Sequence, residues 1–420
     1  MNTSRRVPLQ AADDTATVTP LELFFDLVFV FALTQVTALL AADLTPHGMV
    51  RGLLIIGVLW WCWVGYAWLG NVMRADEGMV RISMLTAMAI MFVTALAIPE
   101  AFDDLPGGLP GPVVFAAGYF GFRCIHLVLF WVASREDPGL RRQIVRFTPS
   151  VAGGTALLLT AAAFDGPTQT ALWALALLAD YGGTMLAGAS GWRLPSAKHF
   201  AERHGLIVIV ALGESIVAIG VGVAGMPISW PIVVASLLGL ALAAAMWWAY
   251  FDVVALVAER VLHRAQGEQR SRLARDSYSY LHLPMIVGIV LAALGLKKVL
   301  EYVGNTAKYE LVKALPTLPL AALYGGVALY LLAHVAFRLR NVHTVNVQRV
   351  AVAVVILALV PVAMAVHLPA LAALAVLSTL VVGLIVFEAV RFAEVRDHVR
   401  HHEAIATSRL RQDSSGGDAV

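Results

Sequence analysis

The sequence predicts an all-α, polytopic membrane bundle of about twelve transmembrane helices. Of its 420 residues, 59% are hydrophobic and only 14% are charged. The mean hydropathy is +0.77, and a soluble chain of this length is far more polar. Apolar runs of roughly twenty residues, the length that crosses a bilayer as a helix, recur along the whole chain. Lysine and arginine are concentrated in alternate connections between those runs.

The runs lie near 21–42, 49–70, 79–98, 111–134, 148–164, 169–189, 203–223, 230–258, 279–298, 318–338, 347–367 and 369–390. Pro99, Pro106, Pro110, Pro112, Pro138, Pro149, Pro167, Pro195, Pro227, Pro316 and Pro369 fall at or near the breaks, where a missing N–H costs a helix least. Pro284 and Pro361 fall inside runs and are expected to kink them.

Basic residues set the expected orientation. With Arg5 and Arg6 in the cytoplasm, the inner connections hold Arg74 and Arg81; Arg135, Arg141, Arg142 and Arg146; and Arg193, Lys198 and Arg203. Arg260, Arg264, Arg270, Arg272, Arg275, Arg338, Arg340 and Arg349 follow on the same side, and the tail adds Arg391, Arg396, Arg400, Arg409 and Arg411. Outer connections hold Arg51 and the group Lys297, Lys298, Lys308 and Lys313. Both termini are therefore expected inside. The lysine group is the discordant one, and a miscounted helix near 279–298 would account for it. The expected organisation is a polar N-terminal tail at 1–18, a transmembrane domain at 19–390 and a cytoplasmic tail at 391–420. The stretch 1–18 has no signal-peptide pattern, so the first helix is expected to act as a signal-anchor. The tail reads as a polar surface helix ending in a disordered SSGGDAV.

Two stretches resemble each other and divide the domain. LELFFDLVFVFALTQV (21–36) and AERHGLIVIVALGESIVAIG (201–220) share an Ala-Leu-x-Gln/Glu step that sets Gln35 over Glu214. Trp60-Trp61 with Tyr66 in the second run parallels Trp247-Trp248 with Tyr250 in the eighth, and His126 parallels His334. These matches predict two parallel six-helix repeats, 19–192 and 193–390.

Charged residues inside apolar runs are costly and either functional or paired. Glu214, mid-helix between Gly213 and Ser215, is a candidate proton or cation site, or a structural partner for Arg123. Arg123 shares a helix face with Tyr119 and His126 and needs an acid, for which Asp180 or Glu214 is expected; such a pair can also be purely structural. Glu22 and Asp26 lie one turn apart near the start of their helix, where a capping role competes. Gln35 points to nearly the opposite face from Asp26. His199, Glu202, Arg203 and His204 cluster at the start of the seventh run, but no second ligand set completes a metal site. His282 and His334 are candidate proton-relay members or hydrogen-bonded core histidines, and Asp252 sits near the inner membrane face. Cys62 and Cys124 lie in apolar runs and read as small buried hydrophobes. No cofactor motif, phosphate loop or nucleophile elbow is present, and a formal charge of +2 gives no basis for a nucleic-acid partner.

LELFFDLVFVFALTQV, HFAERHGLIVIVALGESIVAIG (199–220) and SYLHLPMIVGIVLAALGLKK (279–298) resemble the low temperature requirement A (LtrA) family of bacterial membrane proteins, over roughly residues 20–390. The resemblance implies a multi-pass protein of the bacterial inner membrane and supplies no substrate. Phe25-Asp26 with its Ala-Leu-Thr step also resembles the first helix of a six-plus-six-helix cation channel family, although the serine expected between Phe and Asp is missing here. The function expected is a transporter or channel moving an ion or small solute through a site near the midplane. Glu214, Gln35, Arg123, Asp180, His126 and Asp26 are the foremost candidates for that site. Glu22, Glu202, His204, Asp252, His282 and His334 form a second tier. The alternatives are a membrane enzyme acting on lipid or envelope precursors, with Glu202/His204 or Asp252 as its groups, and a non-catalytic envelope or stress protein. The expected partners are the lipid bilayer and the transported ion or solute, and a homo-oligomer stays open.

Overall fold

The computed structural model describes residues 17–305 and 309–394. Arg5, Arg6, Lys308 and the tail beyond 394, with its expected surface helix and SSGGDAV end, lie outside the described residues. Helices α1 (Pro20–Ala42), α2 (Pro46–Val72), α3 (Gly78–Leu96), α4 (Gly111–Ala133), α5 (Pro138–Ala161) and α6 (Gly166–Ala187) form one half. The other half holds α7 (Ala197–Gly222), α8 (Trp230–Phe251), α9 (Val254–Arg264), α10 (Gly267–Leu273), α11 (His282–Gly304), α12 (Thr317–Val342), α13 (Val347–Ala365) and α14 (Ala370–Arg391). Twelve of the described spans are long and apolar enough to cross a membrane, with α8–α9 and α10–α11 each making one.

Helix starts follow local chemistry. Thr19 caps α1 through a capping box with Glu22, Asp137 caps α5 and Ser196 caps α7. Proline occupies the first turn of α1, α2, α4, α5, α6 and α8, where its missing N–H would be unbonded anyway.

Several expected boundaries need correction. Helix α5 begins ten residues earlier than its apolar run, so Pro149 lies inside it and Arg141, Arg142 and Arg146 ride on a helix instead of a loop. The run at 230–258 is two helices. Its second part, α9, puts Val254, Val257, Ala258 and Val261 on one face and Glu259, Arg260 and His263 on the other, the pattern of a helix that lies along an interface instead of crossing it. Pro284 sits in the first turn of α11, directly after a π-helical segment, Ala274–Tyr280. Lys297 and Lys298 belong to α11, which runs on to Gly304, so they lie on a helix instead of in a loop. Arg203 and Arg349, read as loop residues, are buried in α7 and α13.

One end of the bundle, called here the near end, gathers the start of α1 and α7 with the end of α2, where Asn71 bonds to Ser196. Asp137–Arg193, Asp276–Arg340 and Arg349–Glu388 lie at that end too. At the far end Arg51 meets Asp103 at 2.5 Å, and Ala314 pairs with Pro369. Neighbour relations of the first half recur in the second. Helix α1 packs on α2 and α3 as α7 packs on α8 and α11; α3 on α4 as α11 on α12; α2 on α6 as α8 on α14. The aromatic pairs differ in setting, since Trp60 and Trp61 are buried whereas Trp247 and Trp248 are exposed.

Helices α11 and α12 make the closest backbone approach, at Gly288, Gly295 and Gly326. A Cβ on Gly288 would lie 2.6 Å from the Gly326 carbonyl oxygen and 2.8 Å from the Tyr330 nitrogen. Gly288→Ala is therefore expected to cost ~1–3 kcal/mol through overpacking and to lower the melting temperature in detergent. Gly325→Ala, which meets nothing within 4 Å, should not. Equal melting temperatures would show that the contact is not tight.

Candidate functional site

The site is built on the seam between α1 and α7. Glu22 and Asp26 are four residues apart, as are His199 and Arg203, so each pair occupies one helix face. The two faces meet. Arg203 Nη2 donates to Asp26 Oδ1 at 2.9 Å, and its Nη1 lies 3.0 Å from Glu22 Oε1. His199 Nε2 is 3.0 Å from Glu22 Oε1. All four side chains are buried. Helices in this register run parallel, with both starts at the near end.

Neighbours complete the cluster. Trp63 of α2 donates to Asp26 Oδ1 at 2.8 Å. Asn71 approaches His199 Nδ1 at 3.3 Å, and an Asn71 N–H donor there leaves the histidine Nε2–H facing Glu22. The Thr19 backbone N–H donates to Glu22 Oε2 at 2.9 Å, so Glu22 is both a cap and an ion-pair partner. Gly70 makes room, since a Cβ there would lie 2.5 Å from Glu22 Oε1.

Further along the same seam the chemistry changes. Glu214 is 2% exposed and accepts a 2.6 Å bond from the Thr34 hydroxyl. Among the described residues it forms no ion pair, although the charge of Lys297 on α11 acts on it and Thr37 adds a second hydroxyl. Gln35, half-buried, is the next residue round the helix, so Thr34 supplies the hydroxyl at this point. Beside Glu214, Ser215 Oγ is buried with no partner among the described residues.

A second charge cluster joins α4 to α6. Arg123 Nη2 lies 3.4 Å from Asp180 Oδ1, Tyr119 donates to Asp180 Oδ2, and the guanidinium sits 5.4 Å from the Phe147 ring centre. His126 is buried beside it, its ring against the backbone of Gly65. A cavity of about 40 Å³ next to Arg123 and His126 has room for a water molecule.

Three further buried histidines, His204, His282 and His334, lie around the π-helical segment. The Tyr250 hydroxyl is 2.9 Å from His282 Nε2, and His282 Nδ1 is 3.1 Å from the Ser277 carbonyl. That carbonyl can only accept, so His282 carries its proton on Nδ1 and the tyrosine donates. His204 lies 5.2 Å from His282, centre to centre. His334 Nδ1 meets Arg349 at 3.0 Å, and Arg349 grips Glu388 through Nε at 3.0 Å and Nη2 at 2.8 Å. Ser279 receives Trp60 on its carbonyl at 2.7 Å and Trp68 on its hydroxyl at 2.9 Å.

Glu202 and His204 are not brought together. His204 is buried among aromatic rings, whereas Glu202 faces a surface cleft and lies 3.8 Å from Lys198. Asp252 lines a separate near-end cavity. Among the described residues no group of three or more His, Cys, Asp or Glu side chains is arranged to hold a metal. Sequence reasoning missed Thr34, Trp63, Asn71 and the Arg349–Glu388 pair. It also left Arg203 unpaired, although its four-residue spacing from His199 matches that of Glu22 and Asp26.

Residues 17–386 match the bacterial low temperature requirement A protein (LtrA) family. The chain belongs to this family. Among its relatives is a protein of Rhizobium meliloti (strain 1021) whose own name calls it uncharacterised; it is 31% identical over 290 residues, 65% of this chain and 67% of that one. No solved structure matches. Two LtrA-like motifs, 21–36 and 199–220, form the α1–α7 seam itself. The third, 279–298, supplies Ser279 and His282.

Stranding one member of a buried ion pair costs roughly 3–5 kcal/mol. Arg203→Leu and Arg123→Leu should each lower the melting temperature in detergent far more than Arg135→Leu, since Arg135 is exposed. Adding Glu22→Gln and Asp26→Asn to Arg203→Leu should recover part of the loss. Three single variants melting together would rule the pairs out as stabilising contacts.

Proposed function

We propose that this LtrA-family protein is a membrane transporter or channel that moves an ion or small solute through a site between α1 and α7. One contrast carries the proposal. Of the four buried carboxylates among the described residues, Glu22, Asp26 and Asp180 face an arginine at ion-pair distance, and Glu214 is bonded by hydroxyls and forms no ion pair. An acid at membrane depth that no ion pair neutralises is suited to take up a proton or a cation. Thr34, Thr37 and Ser215 supply the oxygens that would share that ion. The cargo supported best is a proton or a monovalent cation.

The near end is inferred to face the cytoplasm. Most of the described arginines outside the core lie at that end, including Arg135, Arg193, Arg264, Arg272 and Arg340, whereas Arg51 lies at the far end. Basic residues favour the cytoplasmic side of a bacterial inner membrane. Reporter fusions after Asp137 or Gln266 should report inside, and those after Asp165, Pro227 or Leu368 outside; inversion at any site overturns the orientation.

Purified protein in liposomes should dissipate a proton or monovalent-cation gradient, followed with an enclosed pH- or cation-sensitive dye. Glu214→Gln keeps shape and removes charge, so flux should fall by roughly tenfold or more. Glu136→Gln, at an exposed position, should leave it unchanged. Wild-type flux in Glu214→Gln, or no flux of either cation in the wild type, would defeat the proposal.

A further inference from the structure

The small chamber of about 40 Å³ beside Arg123 lies away from the α1–α7 seam, among α2, α4, α5 and α6, with the π-helical segment as a further wall. Most of its lining is apolar and aromatic, including Trp61, Phe130 and Phe147. Arg123, Arg275 and Ser279 also line it, and no aspartate or glutamate among the described residues does. The acids that answer the two arginines therefore lie outside the chamber, and the positive member of each pair borders it.

Neither arginine is fully matched by its acid. Arg123 is 1% exposed, yet it reaches Asp180 through Nη2 alone, at 3.4 Å. Well-made bonds between such charged groups measure about 2.7–2.9 Å. Tyr119 donates to the other oxygen of Asp180, so this carboxylate is divided between two donors. Arg123 Nε is buried with no partner among the described residues. Arg275 meets Asp276 Oδ1 through Nε at 2.9 Å and Nη2 at 2.8 Å. Asp276 in turn serves Arg340 through Oδ2, at 3.0 Å. Three arginines thus share two carboxylates, and one positive charge is left over. Ser279 Oγ accepts from Trp68 Nε1 at 2.9 Å, which leaves its own O–H as a donor.

Size and charge together define the ligand. A buried guanidinium N–H without an acceptor is costly, and so is a buried charge that its partner only half neutralises. A water molecule would accept the bond and leave the charge as it is, whereas a small anion answers both. The chamber holds one particle of about the size of water. A halide ion fits that space; sulfate, phosphate and a carboxylate with a carbon chain do not. One surplus positive charge selects a monovalent ion, since the second charge of a divalent one would be buried without a partner. Arg275, whose side chain is 13% exposed, and the Asp276–Arg340 pair beside it set the way in at the near end.

We propose that this chamber binds one small monovalent inorganic anion of the halide class. Arg123 Nε and the Ser279 hydroxyl donate to it, from α4 and from the π-helical segment, and Arg275 adds its charge on the near-end side. The ion joins α4 of the first half to the segment that precedes α11 in the second. It fastens the two halves at a place other than the Arg203 cluster. The site does not depend on what moves between α1 and α7. Its failure leaves the reading of Glu214 untouched, and the reverse holds.

Equilibrium dialysis of the full chain in detergent against radiolabelled chloride tests this, with melting temperature as a second readout. Wild type should take up one chloride per chain, displaced by bromide and not by gluconate or sulfate. Chloride and bromide should raise the melting temperature to a plateau, and gluconate at the same ionic strength should not. Arg275→Gln should weaken chloride by roughly tenfold, the effect of losing a charge-assisted bond. Asp276 keeps Arg340 in that variant, so its melting temperature in gluconate should stay close to wild type. Ser279→Ala should weaken chloride by several-fold. Arg123→Gln combined with Asp180→Asn removes both charges of the inner pair, strands neither, and should abolish uptake. Arg272→Gln, exposed and outside the chamber, should bind as wild type does. No saturable uptake by wild type leaves water as the occupant and overturns the site. Uptake unchanged in both Arg275→Gln and Ser279→Ala puts the ion elsewhere and overturns it too. Displacement by sulfate as readily as by bromide overturns the assignment of size and charge.

Discussion

A fully buried arginine, Arg203, is the constraint on which the rest of the structure turns. Its guanidinium does not discharge, so burial demands acids at bonding distance. Glu22 and Asp26 meet that demand only if α1 lies parallel to α7 and in one register. Helix α2 must then bring Trp63, Asn71 and the bare backbone of Gly70 to the same place. The near end of the first half is thereby tied to the start of the second.

The same seam carries two kinds of chemistry at two depths. Near its start every acid is neutralised and hydrogen-bonded, an arrangement that holds geometry and resists change. Further along, Glu214 has hydroxyls and no ion pair among the described residues, with the charge of Lys297 acting on it from α11. A carboxylate there gains from protonation or from a bound cation, whereas Glu22 and Asp26 would lose their partner's charge balance. Rigid support beside a chargeable group is what the proposed ion site would require.

The two halves use similar ingredients differently. Both contain a histidine beside an arginine and an acid: His126 with Arg123 and Asp180, and His334 with Arg349 and Glu388. In the first half the arginine and acid come from α4 and α6, and the histidine lies against the Gly65 backbone. In the second they come from α13 and α14, nearer the bundle end, where the arginine bonds the histidine directly. The π-helical segment before Pro284 belongs to the second half as well. It ends where a proline begins the next helix, and it exposes the Ser279 carbonyl to Trp60 of the first half. A π-turn is a common device at functional positions.

Hydropathy alone determined the membrane class and the number of spans, because the cost of unbonded backbone in lipid leaves a long apolar run little choice but a helix. The sequence also marked Glu22, Asp26, Arg123, Asp180 and Glu214 as anomalous, since charge in such a run is conspicuous. It misjudged helix ends wherever polarity and helicity diverge: α5 starts in a basic, polar stretch, and α9 is helical yet too polar on one face to cross. Arginines at run edges, such as Arg203 and Arg349, looked like loop residues because local composition does not report burial. Which acid meets which base was decided only by tertiary structure. Asp180 is 57 residues from Arg123 and Glu22 is 177 from His199, separations across which periodicity carries no information. The hydroxyl partner of Glu214 was likewise invisible, since Thr34 and Gln35 are adjacent in sequence and only the rotation of α1 against α7 selects between them.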